Sequence, residues 1–189
     1  MASSYNRAES SAVNLNSNFF MKNFYRYNRN AIKVSGRKEY NSTELSYEDS
    51  RALQRAAAKL SSYDYSEEEN GDNIVSTIQA FAETYNYTLE STSSEDSDTY
   101  RQHRQLKALT TKYKDELEDL GITVEKDGKL SISENILKSS SFEDVRKVFA
   151  NDSEYVDGIR KIAKRMHNNA YDEVYTMMTG CGGRLNIIL

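Results

Sequence analysis

The chain contains no proline among its 189 residues and only 8 glycines. Proline lacks an amide proton and glycine has the largest backbone entropy, so both residues interrupt helices. With so few interruptions available, the sequence favours long helices. An all-β fold is therefore excluded as the main architecture.

Four segments carry apolar residues at the spacing of an amphipathic helix. The first follows Ser46, a candidate N-cap with Asp49 three residues later, and the last runs from about Tyr155 to Met178. The predicted core positions on the four helices are Leu53, Ala56, Ala57 and Leu60; Ile74, Val75, Ile78, Phe81, Ala82, Tyr85 and Leu89; Leu106, Leu109, Tyr113, Leu117 and Leu120; and Val156, Ile159, Ile162, Ala163, Met166, Ala170, Val174 and Met177.

Polar connections separate these helices. The link from Tyr63 to Asp72 is acidic, with the run Glu67, Glu68 and Glu69, and the link from Ser91 to Thr99 contains only Ser, Thr, Asp and Glu. Such segments are expected to be solvated links between antiparallel helices. The sequence thus predicts a mainly α fold, an elongated bundle of antiparallel helices.

One β-hairpin is predicted within the bundle, at residues 121–133. Short runs of alternating apolar and polar residues flank Asp127 and Gly128, a pair typical of a tight I′ turn with positive φ at both positions. Gly121 follows the last apolar residue of a helical pattern, where a left-handed residue ends helices. Short helices are expected after Ser133 and after Ser141, the latter carrying Val145, Val148 and Phe149.

Composition divides the chain into three parts. Hydrophobic residues make up 38% and charged residues 29%, and the mean hydropathy is −0.78, which indicates a thin bundle with solvated ends. We predict a polar and aromatic extension at 1–45, the bundle at 46–179 and a Gly-rich apolar tail at 180–189. No stretch is apolar enough to insert in a membrane, and the N-terminus lacks the pattern of a cleaved secretory signal.

Residues with catalytic chemistry are few and scattered. His103 and His167 have no Cys, Asp or Glu at metal-ligand spacing, and an exposed histidine on a helix is the commoner case. Cys181 lies among glycines without a neighbouring base. We therefore expect no catalytic residue, no metal site and no cofactor, and a protein that is not an enzyme.

The interval Lys22 to Lys38 interleaves cations with aromatic rings. This combination is what a binder of single-stranded nucleic acid needs. The net charge of −4 and the pI near 5.4 make nucleic acid an improbable partner for the whole chain. The other interpretation is a segment that docks its rings on the bundle or on a partner.

The last predicted helix carries an unusual share of methionine and tyrosine. Tyr171, Tyr175, Met177 and Met178 form a candidate interaction face, because thioethers and phenol rings adapt to a partner's surface. The same stripe is also compatible with a simple core position.

Two stretches together resemble the flagellar filament-capping protein family, also called hook-associated protein 2. Residues 120–123 (LGIT), 127–132 (DGKLSI) and 145–149 (VRKVF) match the family's helix end, hairpin and Val-x-x-x-Phe segment. Upstream, residues 78–86 (IQAFAETYN) are similar to its Phe-Val-x-x-Tyr-Asn helix. The resemblance spans roughly residues 74–178, and its motif residues here are Phe81, Tyr85, Asn86, Gly121, Asp127, Gly128 and Phe149.

The resemblance implies a structural protein of the bacterial flagellum. Such a protein self-associates as a homo-oligomer, contacts flagellin or another flagellar protein, and leaves the cell by export without a cleaved signal. The family's large inserted domains and terminal heptad segments are not seen in this sequence. Alternatives are a cytoplasmic regulatory or export-chaperone-like binder of a flagellar subunit, and a small RNA-binding module acting through Lys22 to Lys38.

Overall fold

The structure, a computed structural model, describes residues 37–65 and 71–179. It is mainly α with one small antiparallel hairpin, as predicted. The predictions for residues 1–36, for the acidic run at 67–69 and for the tail at 180–189 with Cys181 lie outside the described residues. The elements are α1 (Ser42–Ser61), α2 (Gly71–Ser91), α3 (Tyr100–Lys112), α4 (Lys114–Asp119), β1 (Ile122–Val124), β2 (Leu130–Ile132), α5 (Glu134–Ser139), α6 (Phe142–Phe149) and α7 (Glu154–Thr179).

The four long helices run alternately up and down. Two hydrogen bonds show the antiparallel order, because each joins the first half of one helix to the second half of another. Thr88 of α2 bonds to the backbone of Asp49 on α1, and Asn169 of α7 bonds to Gln102 of α3. The 26 residues of α7 make it about 39 Å long, and α7 packs along α1. The bundle is therefore elongated along α7.

Helix α1 begins five residues earlier than predicted. Asn41, not Ser46, is its N-cap, because the Asn41 side chain accepts a bond from the Glu44 amide and the Glu44 carboxylate accepts one from the Asn41 amide. This reciprocal capping box satisfies two amides at the helix start. Ser46 and Asp49 lie inside the helix and are buried.

The helix predicted to run without interruption to Leu120 is broken at Tyr113. The Tyr113 amide bonds to the carbonyl of Thr110 three residues back, which tightens the chain before α4 starts. Two β-branched residues, Thr110 and Thr111, precede the break and have weak helix propensity. The Tyr113 ring packs against Tyr155, with the ring centroids 5.3 Å apart.

The hairpin forms as predicted, but its turn is of another type. Val124 pairs with Leu130, and Gly128 donates to the carbonyl of Glu125 over 2.8 Å. Only Gly128 has positive φ, at 91°, and Asp127 does not. The Glu125 amide donates to the Lys129 carbonyl, so the loop inside this pair has three residues and ends in a left-handed glycine, instead of the two-residue I′ turn. The side chain of Asp127 accepts from the Lys129 amide and stabilises this turn.

Two further predictions on exposure are wrong. The link from Ser91 to Thr99 is only partly solvated, since Ser91, Thr92 and Thr99 are buried and bond to the polar groups around them. Met177, predicted to face inward, is 58% exposed, because the apolar cluster at this end of the bundle stops at Val174. None of the helices in residues 37–65 and 71–179 combines the length and the apolar character that a bilayer crossing needs.

Candidate functional site

The motif residues of the two stretches pack against each other. The Phe81 ring of α2 meets the Phe149 ring of α6 edge-on, with centroids 5.8 Å apart, and both rings contact Tyr155 at the start of α7. All three side chains are fully buried. Edge-to-face aromatic pairs of this kind add to the stabilisation from burial. The motif rings therefore join α2, α6 and α7 in one core.

Asn86 connects α2 to the hairpin. Its side-chain nitrogen donates to the Leu130 carbonyl over 2.8 Å, and its side-chain oxygen accepts from the Leu130 amide over 2.8 Å. A carboxamide presents a donor and an acceptor side by side, as a neighbouring strand would. Asn86 therefore takes the place of a third strand at the edge of β2.

Two glycines hold the ends of the hairpin. Gly121 has φ of 75°, and a Cβ at this position would stand 2.6 Å from Cβ of Ile136. Gly128 lies under Lys107 of α3, where an added Cβ would stand 2.6 Å from Cε. The hairpin is thus enclosed between α5 on one side and α3 on the other. Both sites require glycine for conformation, and Gly121 also requires it for space, because Lys107 is a flexible side chain and the Cβ of Ile136 is not.

Tyr85 belongs to a buried group of hydroxyls in the same region. Its ring is 6.4 Å from that of Phe81, and Thr110 and Tyr155 share a hydroxyl contact of 3.4 Å nearby. Burial raises the pKa of both Tyr85 and Tyr155 well above the ordinary value for tyrosine. These phenols stay neutral and serve packing.

The candidate interaction face lies at the end of α7. Tyr171 is 37% exposed and stacks on Tyr175 with the rings 14° from parallel. Beneath it, the buried Tyr47 ring of α1 lies 6.2 Å away. Met177 is exposed six residues after Tyr171 on another side of α7, and Met178 lies in the same helix. Of the predicted residues, Tyr171 and Tyr175 therefore occur together where α7 meets α1, and Met177 does not share that face.

Both histidines are partly buried and engaged in packing contacts, so the prediction of exposed helix positions is wrong. The Nδ1 of His167 bonds to the Tyr47 carbonyl over 3.1 Å, and the two rings lie 4.5 Å apart. His103 stacks on Tyr100 and its Nδ1 contacts the Thr92 hydroxyl. Burial lowers the pKa of each histidine below the usual value. Within the described ranges, no three His, Cys, Asp or Glu side chains are placed to hold a metal ion.

Sequence reasoning missed an ion pair at the start of the bundle. Arg37 binds Asp49 of α1 through two parallel bonds of 2.7 and 2.9 Å, and its guanidinium lies 4.1 Å from the centre of the Tyr87 ring. The Asp49 side chain is 1% exposed. Burial raises the pKa of Asp49, and the Arg37 guanidinium opposes that rise. The sequence pattern places Asp49 in the first turn of a predicted helix, and no local signal in the sequence links it to Arg37.

The sequence matched no protein-family model, and neither the curated proteins nor the solved structures compared with it gave a match.

Proposed function

We propose that this chain is a non-enzymatic structural protein that resembles the flagellar capping protein and acts in filament assembly. In this role it self-associates and contacts flagellin, and it reaches the flagellum by export without a cleaved signal. One observation carries the proposal. The two stretches that resemble the family are far apart in sequence, yet they meet through Asn86 and Leu130 and through Phe81 and Phe149.

The end of α7 is the surface that we assign to a flagellar partner. Tyr171 and Met177 are exposed there, and Tyr175 stacks on Tyr171. Aromatic and methionine side chains are enriched in protein interfaces. A partner that covers these side chains would remove apolar surface from water, which is the main driving force for association.

A binding experiment with purified flagellin from the same organism tests the proposal. The wild-type chain should bind, and a double variant with Tyr171→Ser and Met177→Ser should bind about tenfold more weakly or worse, as expected for loss of buried interface anchors. Ile136→Ser is the matched control, since Ile136 is 49% exposed on α5, away from this surface. Equal binding by both variants would reject the α7 surface.

The stoichiometry decides between the proposed role and the chaperone-like alternative. A structural component should bind flagellin as an oligomer, whereas an export chaperone should form a soluble complex of one chain with one client. No interaction with flagellin under any condition would contradict a role in filament assembly.

A further inference from the structure

An exposed stripe of opposite charges runs along α3 and α4. Arg101 and Arg104 stand at its start, Ala108 in the middle, and Asp115 and Asp119 at its end. Arg101, Arg104 and Ala108 are spaced by three and four residues on α3, and Asp115 and Asp119 by four residues on α4, so each group lies on one side of its helix. The opposite side of the same helices is buried through Gln102, Leu106, Thr110, Leu117 and the following Leu120.

These four charges have no partner in the part of the chain that the structure describes. The neighbouring Lys112 pairs with Glu154, and Lys114 pairs with Glu118. In contrast, no ion pair within residues 37–65 and 71–179 involves Arg101, Arg104, Asp115 or Asp119. An open cleft of about 1010 Å³ lies beside Arg101 and Arg104, so their side of α3 is accessible.

The first and last charges of the stripe, Arg101 and Asp119, oppose the stability of their own helices, whereas Asp115 lies in the first turn of α4, where an anion is favourable. Arg101 and Arg104 stand near the start of α3, where no acidic residue occupies the first turn. Asp119 is the last residue of α4. The helix dipole favours anions at the start of a helix and cations at its end. The terminal charges of the stripe are therefore not explained by the stability of their own helices.

We propose that the α3–α4 stripe is a docking surface for a second copy of this chain. If two copies meet in antiparallel orientation about a two-fold axis, Arg101 faces Asp119 of the other copy and Arg104 faces its Asp115. The axis then passes near Ala108 and Thr111, where small side chains let the helices approach. A two-fold interface uses the same surface twice, so each contact occurs two times.

The proposed interface is weak and sensitive to salt. Exposed ion pairs contribute little each and are screened by dissolved ions. Their main effect is to fix the orientation and register of the two copies. The inference rests on the self-association in the proposed function, and it adds how the copies face each other.

Charge reversal in the full chain provides the test. One variant carries Arg101→Glu and Arg104→Glu, and a second carries Asp115→Arg and Asp119→Arg. Sedimentation velocity at about 0.05 M and about 0.5 M salt measures the dimer. Each variant alone should dimerise about tenfold more weakly than wild type at low salt, because like charges then face each other. An equimolar mixture should restore a one-to-one dimer, since opposite charges meet again.

A matched control separates this surface from general charge effects. Lys164→Glu with Arg165→Glu makes the same charge change on exposed positions of α7 and should leave dimerisation unchanged. Thermal melts by circular dichroism confirm that each variant is folded. Wild-type dimerisation by the two reversed variants, or a mixture that fails to restore the dimer, would overturn the docking surface. If such variants still oligomerise and bind flagellin, the proposed function stands without it.

Discussion

The carboxamide of Asn86 forms two hydrogen bonds of 2.8 Å with the backbone of Leu130, one through its nitrogen and one through its oxygen. Leu130 is buried at the edge of β2. Its amide and carbonyl would otherwise lack a strand partner on that side, since the sheet has only two strands. One side chain of α2 therefore fixes both the position and the register of the hairpin.

Replacing Asn86 by Ala should lower the free energy of unfolding by about 1–3 kcal/mol, because two backbone groups lose their partners. Urea denaturation followed by circular dichroism measures the change. Asn168→Ala is the control, since Asn168 is exposed on α7, and it should change stability by about 0.5 kcal/mol or less. Equal effects of the two substitutions would show that Asn86 does not hold the hairpin.

Gly121→Ala should destabilise the chain by at least about 1–2 kcal/mol, the cost of a left-handed conformation for a residue with a side chain. The added Cβ would also stand 2.6 Å from Cβ of Ile136. Gly158→Ala is the comparison. At position 158 the added Cβ would meet only the flexible end of Leu109. The higher helix propensity of alanine stabilises the folded chain by up to about 1 kcal/mol, which offsets the cost of moving that side chain.

Thermal melting of both glycine variants decides the question. The Gly121 variant should melt clearly below the wild type and the Gly158 variant close to it. A Gly121 variant as stable as the wild type would contradict the left-handed helix end, because alanine would then have adopted the backbone conformation without strain.

Arg37→Ala should lower the free energy of unfolding by about 3–5 kcal/mol, since it leaves the buried carboxylate of Asp49 without its partner. Adding Asp49→Asn should recover part of this loss, because the remaining group carries no charge. The control is Arg160→Ala, which removes an exposed ion pair with Asp157 and should cost about 1 kcal/mol or less. Chemical denaturation of the three variants gives these values, and an Arg37 variant of full stability would mean that this residue is not part of the fold.

Stability should decline as the pH falls below about 6.5, the ordinary pKa of histidine. Burial lowers the pKa of His167 and His103 in the folded chain, so the unfolded chain binds more protons in this range and acid favours unfolding. His167→Gln should reduce the loss of stability between about pH 7.5 and pH 5.

The pH dependence of the His167 variant must be compared with that of the wild type, because Glu48 changes stability with pH in the opposite direction to the histidines. Burial raises the pKa of Glu48, so the folded chain takes up that proton at higher pH than the unfolded chain does. Urea denaturation at several pH values measures both slopes. Identical pH dependence of the wild type and the His167 variant would refute a contribution from His167.

The sequence predicted those parts of the fold that depend on local pattern. Helix periodicity identified the buried faces of α1, α2 and α7. Gly121 and Gly128 marked the positive φ angles found in residues 37–65 and 71–179, whereas the positive φ predicted at Asp127 is wrong. These features follow from spacing and from backbone conformation alone. The resemblance names both Phe81 and Phe149 as motif residues, and their rings are in contact.

Other features depend on contacts between distant segments and have no local signal. Asp49 has the position of a helix-start residue, and its role follows only from the approach of Arg37. Thr92 and Thr99 are polar link residues whose burial depends on the helices around them. Met177 continues an apolar stripe, but its exposure is decided by where the neighbouring apolar cluster stops.

Light scattering behind size-exclusion chromatography, over a range of protein concentrations and at two salt levels, tests the central claim of self-association most directly. The single chain has a mass of 21.6 kDa. We predict a concentration-dependent rise above the mass of one chain, with the dimer through the α3–α4 stripe strongest at low salt. The mass of one chain at every concentration and at both salt levels would contradict the account.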